Sequence, residues 1–217
     1  MEFFMKINNK ILTVFFTAIL LQIGFCKTFA QLKNIRVEKN SCWHERDSIQ
    51  GYKLVIVLEY KDSTIRTTED GYDIKDLLNL SDSIKLAIIE KLLKFKGDLS
   101  ICCRKVYKYY YEPMERVCVG RPKSKTYPIS IDALYMINKI VQPYGISMYS
   151  CFPVVIDWKT KRELNDCPDL IADYYKTYED CFKKAMRDGK IGDGFQFNTT
   201  KYAWYGALKG TIRDIRK

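Results

Sequence analysis

A run of basic and tyrosine side chains between residues 104 and 127 is the segment best suited to bind a ligand. Lysines and arginines are interleaved there with tyrosines, three of which are consecutive at 109–111. Tyrosine rings stack on sugars or bases, while the cations attract carboxylate, sulfate or phosphate groups. The alternative is that alternate tyrosines are buried across strands and the lysines keep the outer face soluble. The candidate binding residues are Arg104, Lys108, Tyr109, Tyr111, Arg121 and Lys123.

A second set of residues offers groups that hydrolases use. Cys42 and His44 could form a thiolate–imidazole pair, with the acids at 45 and 47 close enough to orient the imidazole. Catalytic partners generally come from separate parts of a fold, however, and these two are neighbours on one segment. Three acids also cluster near the start of the last predicted helix. Carboxylates at the N-terminus of a helix commonly cap it or interact with its dipole, which is a structural role. They are Asp166, Asp169 and Asp173.

The cysteines favour disulfides over metal binding. Cleavage after residue 30 would leave seven of the eight, so up to three internal bridges and one spare thiol are expected. Cys167 and Cys181 should not pair, because 14 helical residues separate them by roughly 21 Å. Cys102 and Cys103 are adjacent, so each is expected to find a distant partner; the alternative is that one of them is buried as a small apolar residue. The disulfide candidates are Cys42, Cys102, Cys103, Cys118, Cys151, Cys167 and Cys181.

No metal or other cofactor is predicted. His44 is the only histidine, and no cysteine pair has the spacing of a zinc knuckle.

The first 30 residues have the pattern of an export signal. A lysine-containing start precedes an uncharged apolar run from Ile11 to Phe25, which is shorter than the roughly 20 residues that span a bilayer. Small residues at Thr28 and Ala30 predict cleavage between Ala30 and Gln31. A lipid-anchored Cys26 and an uncleaved anchor are the alternatives. We therefore expect an exported protein that is periplasmic, cell-surface or secreted, with no membrane span in the mature chain.

Composition indicates a folded, basic domain. Removing residues 1–30 leaves 33 basic and 25 acidic residues, a net charge of +8. Positive charge favours anionic partners, although the acids spread among the basic residues also fit an ordinary soluble surface. Aromatic residues make up 14% of the chain, which argues against disorder.

The periodicity of apolar residues predicts strands, then helices. Strands are expected at 34–38, 52–60 and 64–68, and helices at 84–96, at 130 to before Pro143, and at 168–187. Further strands are expected at 101–111, 116–119, 151–158 and 195–198, with turns at 61–63 and 159–161.

These patterns predict one α+β domain over residues 31–217, with an antiparallel sheet packed against about three helices. The predicted function is a non-enzymatic binding module whose partner is an anionic glycan, a surface polymer or another exported protein. Nucleic acid is not expected. A secreted hydrolase using carboxylates or the Cys42–His44 pair is the alternative.

Overall fold

The structure is a computed structural model. It describes residues 32–44, 49–68, 72, 74–104, 106, 122–142, 152–192, 195 and 198–206. The predicted signal peptide and its cleavage site lie outside the described residues.

The chain begins with the predicted antiparallel meander. Strands β1 (Leu32–His44), β2 (Ile49–Tyr60) and β3 (Thr64–Thr67) form one sheet in that order. β1 is longer than predicted, because it continues through the polar residues up to His44. In β2 the residues from Leu54 to Leu58 are all fully buried, as in a strand covered on both faces.

The residues group into two compact units. The described part of the smaller comprises 32–35 and 58–65. In it the backbone N–H of Tyr60 donates to the carbonyl of Ser63 at 2.8 Å, which closes the predicted turn. The side-chain amide of Asn34 donates to Glu59 at 3.0 Å. The prediction of a single domain stays a prediction.

The larger unit contains all the described helices. They are α1 (Lys75–Leu78), α2 (Asp82–Leu93), α3 (Ile129–Val141) and α4 (Pro168–Asp188). Helices α2, α3 and α4 are the predicted three, whereas the single turn of α1 was not predicted. None of the described helices is long and apolar enough to cross a membrane.

Helices α2, α3 and α4 all pack against one another in the larger unit, and α3 is the most buried of the three. It is buried on nearly all sides, including its polar residues Ser130, Asp132 and Asn138. α4 supplies partners for two of these positions. The hydroxyl of Tyr175 donates to the Ser130 carbonyl at 2.7 Å, and the Tyr178 hydroxyl lies 2.6 Å from the Asn138 side chain.

Helix α4 begins and ends where the sequence predicts. Pro168 occupies the first turn, where its missing N–H costs no hydrogen bond. Gly189 ends the helix in the left-handed conformation (φ 66°) that glycine adopts without strain.

A second sheet has two antiparallel strands, β4 (Val155–Asp157) and β5 (Tyr202–Trp204), with Ile156 paired to Ala203. β4 lies inside the predicted strand 151–158. The last described strand, β5, lies further along than the predicted 195–198, of which the described residues Phe195 and Asn198 belong to no strand. The described elements therefore form an α+β fold with two antiparallel sheets and four helices.

Candidate functional site

A wide cleft of about 860 Å³ lies in the larger unit and contains Lys123, one of the predicted binding residues. Two stretches of chain, 123–128 and 160–168, supply most of its lining. Leu99 and Ile101 complete it.

The apolar wall of the cleft is a short extended segment held on both sides by backbone hydrogen bonds. On one side the N–H of Cys102 donates to the carbonyl of Tyr127 at 2.8 Å. On the other side the N–H of Tyr52, in β2, donates to the carbonyl of Ile101 at 2.9 Å. Leu99 and Ile101 are two residues apart and share a face, and 51% and 48% of their surfaces remain exposed.

Strand β2 approaches this wall most closely at Gly51. A Cβ atom at this position would overlap the backbone carbonyl oxygen of Ile101. Because the opposing atom belongs to the backbone, no side-chain rotation relieves the overlap. The absence of a side chain at residue 51 therefore lets the apolar wall pair with β2.

The second wall is a tight turn that follows β4. The N–H of Asp157 donates to the carbonyl of Arg162 at 2.8 Å, and the Asp157 carboxylate accepts bonds from the N–H and hydroxyl of Thr160 at 2.7 and 2.9 Å. Lys161 has a φ of 59°, a left-handed conformation uncommon for residues other than glycine. The predicted turn at 159–161 is confirmed, and it places Lys161 and Arg162 at the cleft.

Glu163 fastens the lysine-bearing loop to this turn. Its carboxylate accepts hydrogen bonds from the N–H groups of Lys123 and Ser124 and from the Ser124 hydroxyl, each at 2.6 Å. Burial opposes ionisation of Glu163, but these hydrogen bonds outweigh it and hold the pKa of the carboxyl below its ordinary value. The negative charge of Glu163 is therefore stabilised by hydrogen bonds from the loop.

The cleft has an excess of positive charge. Its charged side chains are the cations Lys123, Lys125, Lys161 and Arg162 and the acids Glu163 and Asp166. Lys123 and Lys125 are exposed, and no ion pair within the described part of the chain involves their ammonium groups. Four cations against two acids give a surface that attracts anions.

Each of the other two cations makes a contact with an uncharged neighbour. The ammonium nitrogen of Lys161 lies 3.2 Å from the centre of the Trp158 ring. Nη2 of Arg162 donates to the sulfur of Cys167 at 3.2 Å. Neither contact neutralises the positive charge.

Only part of the predicted binding set is brought together here. Lys123 lines the cleft. Lys108, Tyr109, Tyr111 and Arg121 lie outside the described residues. Lys161 and Arg162 were not among the predicted binding residues, although three of the four residues from Lys159 to Arg162 are basic.

The interior position of Arg104 corrects its assignment to a binding surface. Arg104 is 3% exposed and forms an ion pair with the fully buried Asp132 of α3, with Nη1 2.6 Å from the carboxylate. Nη2 donates to the carbonyl of Leu54 at 2.7 Å and to the carbonyl of Thr68. Burial acts to lower the pKa of Arg104, but the neighbouring carboxylate outweighs it and raises the pKa. This arginine joins β2, the segment after β3, and α3.

Two tyrosines complete this buried cluster. Tyr72 donates to the Asp132 carboxylate, and its hydroxyl lies 2.9 Å from that of Tyr127. The guanidinium of Arg104 lies 5.0 Å from the centre of the Tyr72 ring. Burial raises the pKa of both tyrosines well above the ordinary value, so both remain neutral donors.

The structure bonds one pair of the candidate cysteines. Cys42 and Cys103 form a disulfide across 61 residues, with their Cα atoms 6.1 Å apart. Cys102 is a buried thiol, and burial, reinforced by nearby Asp132, raises its pKa. The expectation that each of the adjacent cysteines has a distant partner is therefore wrong for Cys102, and the alternative, in which one of the two is buried, is the one observed.

The remaining candidate cysteines fall into two groups. Cys167 and Cys181 are not bonded to each other, as predicted from their positions on one helix. Cys102 and Cys167 are both free thiols, so the expectation of three bridges with a single spare thiol is wrong. Desolvation and the neighbouring Asp166 carboxylate raise the pKa of Cys167. Cys118 and Cys151 lie outside the described residues.

Two of the groups proposed for a hydrolase, Cys42 and Asp173, have structural bonds in this fold. The sulfur of Cys42 is bound to Cys103 and is not a free thiolate. Asp173 on α4 accepts bonds from Lys201 and Tyr202, each at 2.7 Å, and from Lys176 at 3.1 Å. These bonds, that of Lys201 above all, hold the pKa of Asp173 far below its ordinary value. Asp173 therefore fastens α4 to the chain around β5.

Among the described residues, no group of three or more histidine, cysteine, aspartate or glutamate side chains is arranged to hold a metal ion. No protein-family model matches this chain, and no curated protein or solved structure shows significant similarity to it.

Proposed function

We propose that this protein is an exported, non-enzymatic binding module that recognises an anionic partner through the basic cleft around Lys123. The observation that carries the proposal is the charge of the cleft, where four cations face two acids and one of those acids is bound to backbone N–H groups. A Cys42–Cys103 disulfide is compatible with an exported location, since such bonds persist in oxidising compartments.

The test is binding to polyanions before and after charge reversal. Immobilised dextran sulfate and poly-glutamate serve as probes, and the dissociation constant is measured at several salt concentrations. We expect Lys123→Glu/Lys125→Glu to weaken binding about tenfold or more, because both side chains are exposed and unpaired within the described residues. The salt dependence should also fall, since fewer counterions are displaced on binding.

Lys184→Glu/Lys190→Glu is the matched control, because it makes the same change in net charge at two exposed lysines that do not line the cleft. It should leave binding and its salt dependence nearly unchanged. A second variant, Lys108→Glu/Arg121→Glu, asks whether the rest of the predicted basic segment contributes. Equal loss of binding in the control and the cleft variant would mean that only net charge matters, and the proposed site would be wrong.

Export has its own test. The intact mass of protein recovered outside the cytoplasm of its host is expected to correspond to a chain that starts at Gln31. A chain that retains residues 1–30, or a lipid on Cys26, would overturn the cleavage proposal.

A further inference from the structure

The polar side chains of the cleft are poorly suited to sugars. Both ends of the Asn165 amide are used inside the protein, with Oδ1 accepting from Val155 at 3.1 Å and Nδ2 donating to the Pro153 carbonyl at 3.1 Å. The hydroxyls of Ser124 and Thr160 donate to carboxylates of the protein itself. Among the neutral polar side chains of this lining, Thr126 is the one that forms no such bond with another described residue.

Sugar recognition needs acceptors as well as donors, together with an aromatic platform. The aromatic residue in the lining is Tyr127, which is only 2% exposed and offers no face to stack on. The accessible surface of the cleft instead combines an excess of cations and the single exposed acid Asp166 with aliphatic side chains. Such a surface complements a ligand that carries anionic and aliphatic groups side by side.

We infer that the cleft binds an extended acidic peptide segment, belonging to another exported protein, in which an aliphatic side chain lies next to carboxylates. The carboxylates would meet Lys123, Lys125 and Arg162, and the aliphatic side chain would cover Leu99 and Ile101. This inference rests on the proposed function and specifies the partner of the same site.

The dimensions of the cleft favour a peptide over an anionic lipid. Leu99 and Ile101 are half exposed and are the aliphatic side chains of the lining apart from two prolines, Pro128 and Pro168. That surface matches one or two peptide side chains, whereas an acyl chain needs a longer apolar channel. An extended peptide also alternates its side chains, so acids and aliphatic groups face two different walls.

Two synthetic peptides of about twelve residues test the inference. One alternates glutamate with leucine, and the other alternates glutamate with serine, so their charges are equal. We expect the leucine peptide to bind at least tenfold more tightly to the native chain. Leu99→Ser/Ile101→Ser should abolish that preference while leaving the serine peptide bound as before.

Met186→Ser is the matched apolar control, because Met186 is 55% exposed on α4 outside this cleft. It should keep the preference. Thermal melting accompanies each variant, and Leu99→Ala and Ile101→Thr separately replace the double variant if it does not fold.

Each outcome decides something different. Equal binding of both peptides, lost together in Lys123→Glu/Lys125→Glu, would overturn the peptide inference and leave the proposed function standing. Binding to phosphatidylglycerol vesicles that depends on Leu99 and Ile101, without a peptide preference, would replace the peptide with a lipid surface. If neither peptide nor polyanion binds, the proposed function fails, and this inference fails with it.

Discussion

Replacing Arg104 by methionine is expected to unfold the protein at much lower denaturant concentration. The substitution keeps a long side chain in the interior but removes the charge that faces Asp132. The carboxylate would keep its bonds from Tyr72 and from the N–H of Leu54, yet it would be buried without a counter-charge. An uncompensated buried charge is costlier than the loss of the pair as a whole.

The expected loss of unfolding free energy is about 3–5 kcal/mol, the range found when one partner of a buried ion pair is removed. The exposures of 3% for Arg104 and 0% for Asp132 place the pair in that class. Two carbonyl acceptors, those of Leu54 and Thr68, also lose their donor. For a domain of this size each kcal/mol shifts the melting temperature by roughly 2–4 °C, so a decrease of about 10 °C is expected.

The assay is urea unfolding of three variants: Arg104→Met, Asp132→Leu and the double replacement. The double variant should recover much of the stability that either single variant loses, because it leaves no lone charge in the core. Arg36→Met is the control, since Arg36 forms an exposed pair with Glu38 and should cost about 1 kcal/mol or less. An Arg104→Met protein that is as stable as the native chain but no longer binds polyanions would refute the reasoning, because Arg104 would then act at the surface.

Three further predictions concern the supports of the cleft and the sheet. Gly51→Ala should destabilise the protein by about 1–3 kcal/mol in thermal or urea unfolding, because the added methyl meets the backbone of Ile101; an unchanged midpoint would contradict this close approach. Reducing the Cys42–Cys103 bond should lower the free energy of unfolding by about 4 kcal/mol, the entropy cost of closing a 61-residue loop in the unfolded chain. Unfolding with and without reductant measures this loss, and equal stabilities would show that the bond does not restrict the unfolded chain. Glu163 has a lower pKa in the folded protein than when unfolded, so its stabilisation is present above its unfolded pKa and is lost as the pH falls through the folded pKa. Glu163→Gln should therefore lower stability at pH 7 but not at pH 2. A loss of the same size at both pH values would show that the ionised carboxylate is not what stabilises the fold.

Local sequence signals determined most of the regular elements. Three of these signals act within a few residues, so their effects can be predicted without knowing the fold. They are the alternation of apolar residues in β2, the proline at the start of α4 and the glycine at its end. The turn after β4 was predicted for similarly local reasons. Strand β5 was misplaced because it has only three residues, which take strand geometry by pairing with β4.

The candidate site depended on contacts that sequence spacing cannot give. In a sequence, a lysine or arginine that faces solvent cannot be distinguished from one that faces a buried acid. Only the packing of α3 against the segment after residue 101 shows that Arg104 is paired with Asp132. The cleft joins residues from about 99 to 168 through backbone pairing and through Glu163, which reaches back 40 residues to Lys123. The sequence by itself therefore determined the composition, the charge and the local elements of this protein. The tertiary structure decided which charged side chains are paired in the core and which stay exposed and can bind a partner. Burial and ion pairing arise only when distant segments pack together.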